Sequence, residues 1–191
     1  MDAVLRQLSP LDSLDIYTML QEIPRDENGF INGGHGKSFE SYKEWLIKSD
    51  NVSKGVCLAD WMVPSTIYWL YVDSLPVGMG KLRHTLTKQL REEGGHGGYA
   101  IRPACRGKGY GRLLLKLLLK EACSLGIDEL LLTVQNHNIP SIRVAMANGG
   151  VIVKVNEQRH YFHIDLRQGN KSTTPAHSYY AFKNQEVHNE I

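Results

Sequence analysis

The sequence predicts an α/β (α+β) fold: a mixed, mostly antiparallel sheet of six to seven strands flanked by about four helices. Three observations predict it. Residues 66–72 are dense in aromatic and β-branched side chains and are followed, across Asp73-Ser74-Leu75-Pro76, by a second extended segment at 77–83. Residues 111–125 form the strongest amphipathic helix in the chain, with Leu113, Leu114, Leu117 and Leu118 on one side and Lys116 and Lys120 four apart on the other. A near-continuous apolar run at 130–134 then reads as a strand buried on both faces, so strand–helix–strand gives one central parallel step.

The remaining elements fall in order around these. Residues 4–8 read as a short strand ended by Ser9-Pro10. Leu11, Leu14, Met19 and Ile23 mark a first helix closed by Pro24. Residues 25–37 are polar and glycine-rich and read as a loop. Ser38 or Ser41 caps a second helix, with Phe39, Tyr42, Trp45 and Leu46 on one face. Residues 84–93 suggest at most a helical turn. Residues 97–102 form a strand stopped by Pro103. Gly126 fits a helix C-cap, Asn138 an N-cap, and Pro140 an early helical position. Residues 151–155 and 160–166 make a final pair of strands. The expected domain spans 1–167, and 168–191 is a polar, aperiodic tail with the composition of a disordered segment.

A chain of 191 residues, 42% hydrophobic, can bury a core of ordinary size. A net charge of +2 gives no case for nucleic acid or an anionic membrane as partner. The N-terminus lacks a basic start followed by an apolar run, and the most apolar stretch, 113–119, is too short to span a bilayer. Cys57, Cys105 and Cys123 form neither a disulfide framework nor a zinc pattern, so a cytoplasmic setting is expected. His160 and His163 lie three apart in a strand and face opposite sides, and no metal site is expected.

Chemistry concentrates at Ile101-Arg102-Pro103-Ala104-Cys105-Arg106-Gly107-Lys108-Gly109-Tyr110-Gly111. A strand ends at proline, a turn carries three glycines and two cations, and a long helix begins. Glycines permit positive φ and close approach of a ligand to the backbone. The first helical turn offers unpaired N–H groups and the positive end of the macrodipole, which suits a phosphate or diphosphate. A Rossmann fingerprint would need glycine where Arg112 stands. A P-loop at Gly36-Lys37-Ser38 would need glycine where Ile31 stands, with a buried strand before it.

The run Ile101-x-Pro103-x-x-Arg106-x-x-Gly109-x-Gly111 resembles the acyl-CoA motif of the GNAT superfamily of N-acetyltransferases. Asn138-Ile139-Pro140-Ser141, closing at Asn148-Gly149-Gly150, resembles that family's second motif. The resemblance implies a splayed sheet with acetyl-CoA as acyl donor in the gap. It implies that the backbone of Tyr99, Ala100 and Ile101 pairs with the pantetheine arm. The diphosphate would lie on Arg106, Gly107, Lys108, Gly109, Tyr110 and Gly111, with Arg112 in the same site. Asn138 would bond the pantetheine, and Ser141 would lie near it.

It further implies direct attack of a primary amine, on a small molecule or peptide, in a ternary complex with no covalent enzyme intermediate. A backbone N–H near Ile101 would serve the oxyanion. Glu93 and His96 are the candidate bases. Many relatives carry a tyrosine acid seven residues after the asparagine; here that position is Ala145, and either Tyr161, Tyr99 or water would take the role or the thiolate would leave unassisted. The vacancy also supports an alternative, an acyl-CoA-sensing module with little transfer activity. A longer acyl donor is a third reading. Residues 25–37, 54–64 and 84–95 would set the acceptor, with Tyr68, Trp69 and Tyr71 as further candidate pocket walls and Cys105 as a candidate reactive thiol. A homodimer is expected on the family's habit, formed through the last two strands.

Overall fold

The computed structural model describes residues 2–167; the tail expected over 168–191 lies outside the described residues. The chain runs β1 (Ala3–Gln7), α1 (Leu14–Glu22), β2 (Asp26–Glu27), β3 (Phe30–Ile31), α2 (Phe39–Ser53), β4 (Ser65–Val72), β5 (Leu75–Arg83), α3 (Lys88–Glu92) and β6 (Gly97–Ile101). A 3-10 turn (Pro103–Cys105) leads to α4 (Tyr110–Ser124), β7 (Glu129–Gln135), α5 (Ile139–Ala147), β8 (Val151–Val155) and β9 (Arg159–Asp165).

The seven long strands form two ladders, β1-β4-β5-β6 and β7-β9-β8, and among the described residues every pairing is antiparallel. The parallel step expected between β6 and β7 shrinks to a joint at their start. The His96 N–H donates to the Leu131 carbonyl at 2.8 Å, and the Leu131 N–H donates to His96 Nδ1 at 2.9 Å. The Gly94 N–H adds a bond to Thr133 Oγ1 at 3.0 Å. Gly95 makes this approach possible: a Cβ there would lie 2.4 Å from the Leu131 carbonyl oxygen, and its φ of +60° suits glycine. Past the joint the strands diverge, and Gly97, Gly98 and Tyr99 face Leu132, Thr133 and Val134 across open space.

Two apolar cores hold the sheets. One packs Leu114, Leu115, Leu118 and Ala122 of α4 between β5 and the β7–β9 ladder; the other packs α1 and α2 on the opposite face of β4 and β5 around Trp69, Tyr71 and Met79. Each leucine fully buried in this way contributes about 2–3 kcal/mol. Close seating of α4 depends on Gly80, where a Cβ would meet Leu118 at 2.7 Å. Tyr68, Trp69 and Tyr71, candidates for an acceptor wall, are all buried in these cores instead.

The expected loop over 25–37 contains a hairpin. Asn28 and Gly29 both take positive φ, 53° and 82°, which is the turn that suits the twist of two antiparallel strands. Ser38 is the cap of α2, its Oγ accepting from the Ser41 N–H at 3.2 Å. At the other end of the chain β8 is an edge strand whose five residues are all exposed.

Candidate functional site

The turn 106–109 delivers the chain into α4 with no side-chain cap. Gly109 is the N-cap residue at φ 82°, and Gly107 sits at φ 76°. A Cβ at either glycine would meet nothing within 4 Å. The first-turn N–H groups of Tyr110, Gly111 and Arg112 therefore point at open space with the positive end of a 15-residue helix behind them. This turn borders a cavity of about 500 Å3 whose other walls are Tyr99, Ala100 and Ile101 of β6, Cys105, and Asn138, Pro140, Ser141 and Val144 of α5.

The β6 wall offers a free strand edge. Arg102 donates to Val77 and Arg83 donates to His96, so the antiparallel alternation turns the N–H and C=O of Gly97, Tyr99 and Ile101 away from β5 and into the cleft. Asn138 caps α5, its Oδ1 accepting from the Ser141 N–H at 3.3 Å. The Tyr99 phenol oxygen is buried without a hydrogen-bond partner; Ser141 is the polar neighbour that acts on it, in a geometry short of a bond. Burial pushes that phenol's pKa up.

A second cavity of about 450 Å3 continues from the first past Tyr99, Asn138 and Ser141 into the gap between the sheets, where Lys81, Arg83, Thr133 and Arg159 line it. The β2–β3 hairpin covers the junction. Glu27 Oε2 pairs with Arg106 Nη2 at 2.7 Å, Asn28 Oδ1 meets His137 Nε2 at 3.1 Å, and Phe30 rests over Gly98. Arg106 Nε also donates to the Ile101 carbonyl at 3.0 Å. Trp61, 78% exposed, stands at the rim.

Of the residues expected to bind the acyl donor, Tyr99, Ala100, Ile101, Arg106, Gly107, Gly109, Tyr110, Gly111, Arg112, Asn138 and Ser141 all line the first cavity; Lys108 is exposed on the turn and does not. The three catalytic candidates are not brought together there. Glu93 is an exposed residue at the end of α3, and His96 has its Nδ1 lone pair on the Leu131 amide. Burial and the nearby Arg91 charge hold His96 down at about 4, so it is neutral. The Tyr161 hydroxyl is buried, donating to the Glu92 carbonyl at 3.0 Å and accepting from Asn156 Nδ2 at 3.1 Å. None of the three lines either cavity. Ala145 lies in the core beside Phe162. Sequence reasoning missed Glu27, Lys81, Arg83 and Arg159. The Asn28-Gly29 pair was a readable hairpin signal for the first; charged residues on strands carried no comparable signal for the others.

His160 and His163 are engaged separately, by Asn136 at 2.8 Å and by Glu129 at 2.9 Å. Among the described residues no three His, Cys, Asp or Glu side chains converge, and no helix is long and apolar enough to cross a membrane.

A capless helix start lies beside a free strand edge at a split between two sheets. The chain matches the Acetyltransferase (GNAT) family over residues 29–149 and belongs to that family. Among solved structures it is similar to the N-acetyltransferase PseH of Campylobacter jejuni, in complex with acetyl coenzyme A. The two are 15% identical, 86% of this chain and 99% of that one are covered, and the TM-score is 0.58. The structure of YncA from Salmonella typhimurium with acetyl-CoA matches at 15% identity, covering 91% and 98%, with a TM-score of 0.56. The spermidine/spermine N-acetyltransferase SpeG of Vibrio cholerae, in mutant form, matches at 16% identity, covering 87% and 96%, with a TM-score of 0.58. These likenesses show the fold. No curated protein matches the sequence.

Proposed function

We propose that the chain is an acetyl-CoA-dependent N-acetyltransferase acting on a primary amine. The observation that carries this is the uncapped start of α4 at Gly109, opening into a cavity whose far wall is the free edge of β6. The residues present fit acetyl-CoA: amides from Gly107 to Arg112 for the diphosphate, the outward N–H and C=O of Tyr99 and the outward N–H of Ile101 for the pantetheine amides, and the unpartnered Tyr99 hydroxyl and Asn138 amide beside them.

The thioester then lies where the two cavities meet. The amine nitrogen attacks the thioester carbon from the acceptor side. The new C–N bond forms as C–S breaks, the CoA thiolate takes up a proton, and the amine loses one. An outward N–H of β6 faces the developing oxyanion. Among the described residues the one carboxylate on the acceptor wall, Glu27, is held by Arg106, so the amine's proton passes to water at the open mouth. With Ala145 in the core and the Tyr161 proton on a carbonyl, the thiolate leaves to solvent.

We further propose that the expected homodimer forms along β8. Val151, Val153 and Val155 are each more than half exposed on an edge strand, and its one charge, Lys154, lies over the Tyr161 ring. Light scattering tests this: a dimer that Val153→Lys converts to monomer supports it, and a monomeric parent rejects it.

The test of the enzymatic reading is calorimetric titration with acetyl-CoA followed by thiol release over an amine panel. Gly109→Ala places a Cβ at φ 82° in the phosphate approach; it costs about 1–2 kcal/mol of stability at that backbone and weakens acetyl-CoA by obstructing the phosphate. Absence of acetyl-CoA binding rejects the reading; binding without thiol release on any amine points to a sensing module.

A further inference from the structure

Lys81 and Arg83 of β5 and Arg159 of β9 line the acceptor side of the cleft. Lys81 and Arg83 are two apart on one strand, so both stand on the face that carries buried Met79. Burial lowers the pKa of each, and the Arg83 charge lowers that of Lys81 further. Arg83 Nη1 donates to the carbonyls of Gly94 and Gly95, at 3.4 and 3.1 Å. Among the described residues none of the three has a carboxylate partner. Glu27, the one acid that the described residues place on the wall, is paired with Arg106. A neighbouring cavity of about 290 Å3 runs on from Lys81 past Phe30 and adds Lys48 but no acid.

Partly desolvated like charges without a counter-charge are costly, and such an arrangement persists where a ligand supplies the missing charge. The phosphates of CoA do not supply it. The donor cavity has Arg106 and Arg112 on its walls, and none of Lys81, Arg83 and Arg159 lines it.

Resting on the acetyl-CoA reading above, we propose that the acceptor is a primary amine that also carries an oxyanion, a carboxylate or a phosphate. Lys81, Arg83 and Arg159 hold that oxyanion while the amine faces the thioester. A polyamine would bring positive charge to a positive wall and is disfavoured.

The test follows thiol release, at saturating acetyl-CoA, on matched amines: phosphoethanolamine against ethanolamine, β-alanine against its amide, and spermidine. The expected result is a kcat/KM at least about tenfold higher for the anionic member of one pair, with the advantage falling as salt rises. The two pairs separate phosphate from carboxylate. Lys81→Met and Arg159→Gln each raise KM for that anionic amine about tenfold and leave acetyl-CoA affinity unchanged, and Lys81→Arg restores it. Calorimetric titration of the same amines into the CoA complex reads recognition apart from turnover. Preference for a neutral amine or spermidine overturns the proposal, as does a preference that survives both substitutions. A Lys81→Arg variant as inactive as Lys81→Met overturns it too, since that marks the lysine as a proton acceptor. No affinity for acetyl-CoA overturns the underlying reading as well, and the first titration identifies that case.

Discussion

Glu27 reaches Arg106 across the mouth of the cleft at 2.7 Å, and a diphosphate arriving at the same guanidinium must compete with that carboxylate. The pair is partly exposed, so its own attraction is about 0.5–1 kcal/mol. Glu27→Gln removes the competitor and a negative charge from the phosphate approach. Acetyl-CoA should then bind about two- to fivefold tighter by calorimetry; weaker binding would mean that Glu27 aids the ligand. Tyr161 makes a different case, a side chain expected in the chemistry whose buried hydroxyl is hydrogen-bonded within the fold. Its hydroxyl ties β9 to the end of α3 through the Glu92 carbonyl. Tyr161→Phe should lower stability by about 1–2 kcal/mol in denaturant melts and leave kcat within roughly twofold. A selective loss of kcat would return Tyr161 to the chemistry. The glycine turn into α4 was legible at this scale because glycine spacing and a helix start are local. The catalytic candidates were not, because a side chain's direction at a strand end depends on which neighbouring strand it meets.

The joint between β6 and β7 rests on few groups, and His96 is the one that titrates. Its folded pKa of about 4 lies below the ordinary histidine value of 6.5, chiefly through burial. Between those values the unfolded chain binds more protons than the folded one, so stability is complete above about pH 6.5 and falls as pH drops toward 4. Protonation also favours release of the Leu131 amide, which needs the Nδ1 lone pair. The ring is partly exposed, and after solvent screening the loss is about 1–2 kcal/mol. The slope of melting temperature against pH between 6.5 and 4 should flatten in His96→Gln; an unchanged slope would show that another group titrates. Elements with strong local pattern, such as α4 and β4, were readable from side-chain order. The hairpin β2–β3 was hidden by its length, two residues a side, although its Asn28-Gly29 turn was in view. The helix α3 falls within 84–93, where a helical turn is expected, but its five residues bury no side chain that could mark its ends.

For the molecule as a whole, order along the chain does not reveal that the seven strands divide into ladders of four and three. Strand pairing is set by twist and packing between distant segments, and β9 inserts between β7 and β8 with nothing in its own pattern to say so. The divide has a thermodynamic consequence. The ladders share few backbone bonds at the joint, while the donor cavity takes walls from β6 on one side and α5 on the other. A ligand filling that cavity bonds both halves and acts as a strut across the split. Acetyl-CoA at a hundred times its dissociation constant adds about 2.7 kcal/mol of stability, or roughly 5–10 °C in melting temperature for a chain of this size. The distribution matters more than the total. Hydrogen exchange should slow together at the outward amides of Gly97, Tyr99 and Ile101, at the first turn of α5, and in β7, which touches the ligand only through the cleft wall. Protection confined to residues 106–112 would mean that the nucleotide end binds alone, leaving the two ladders as loosely coupled as their few shared bonds imply.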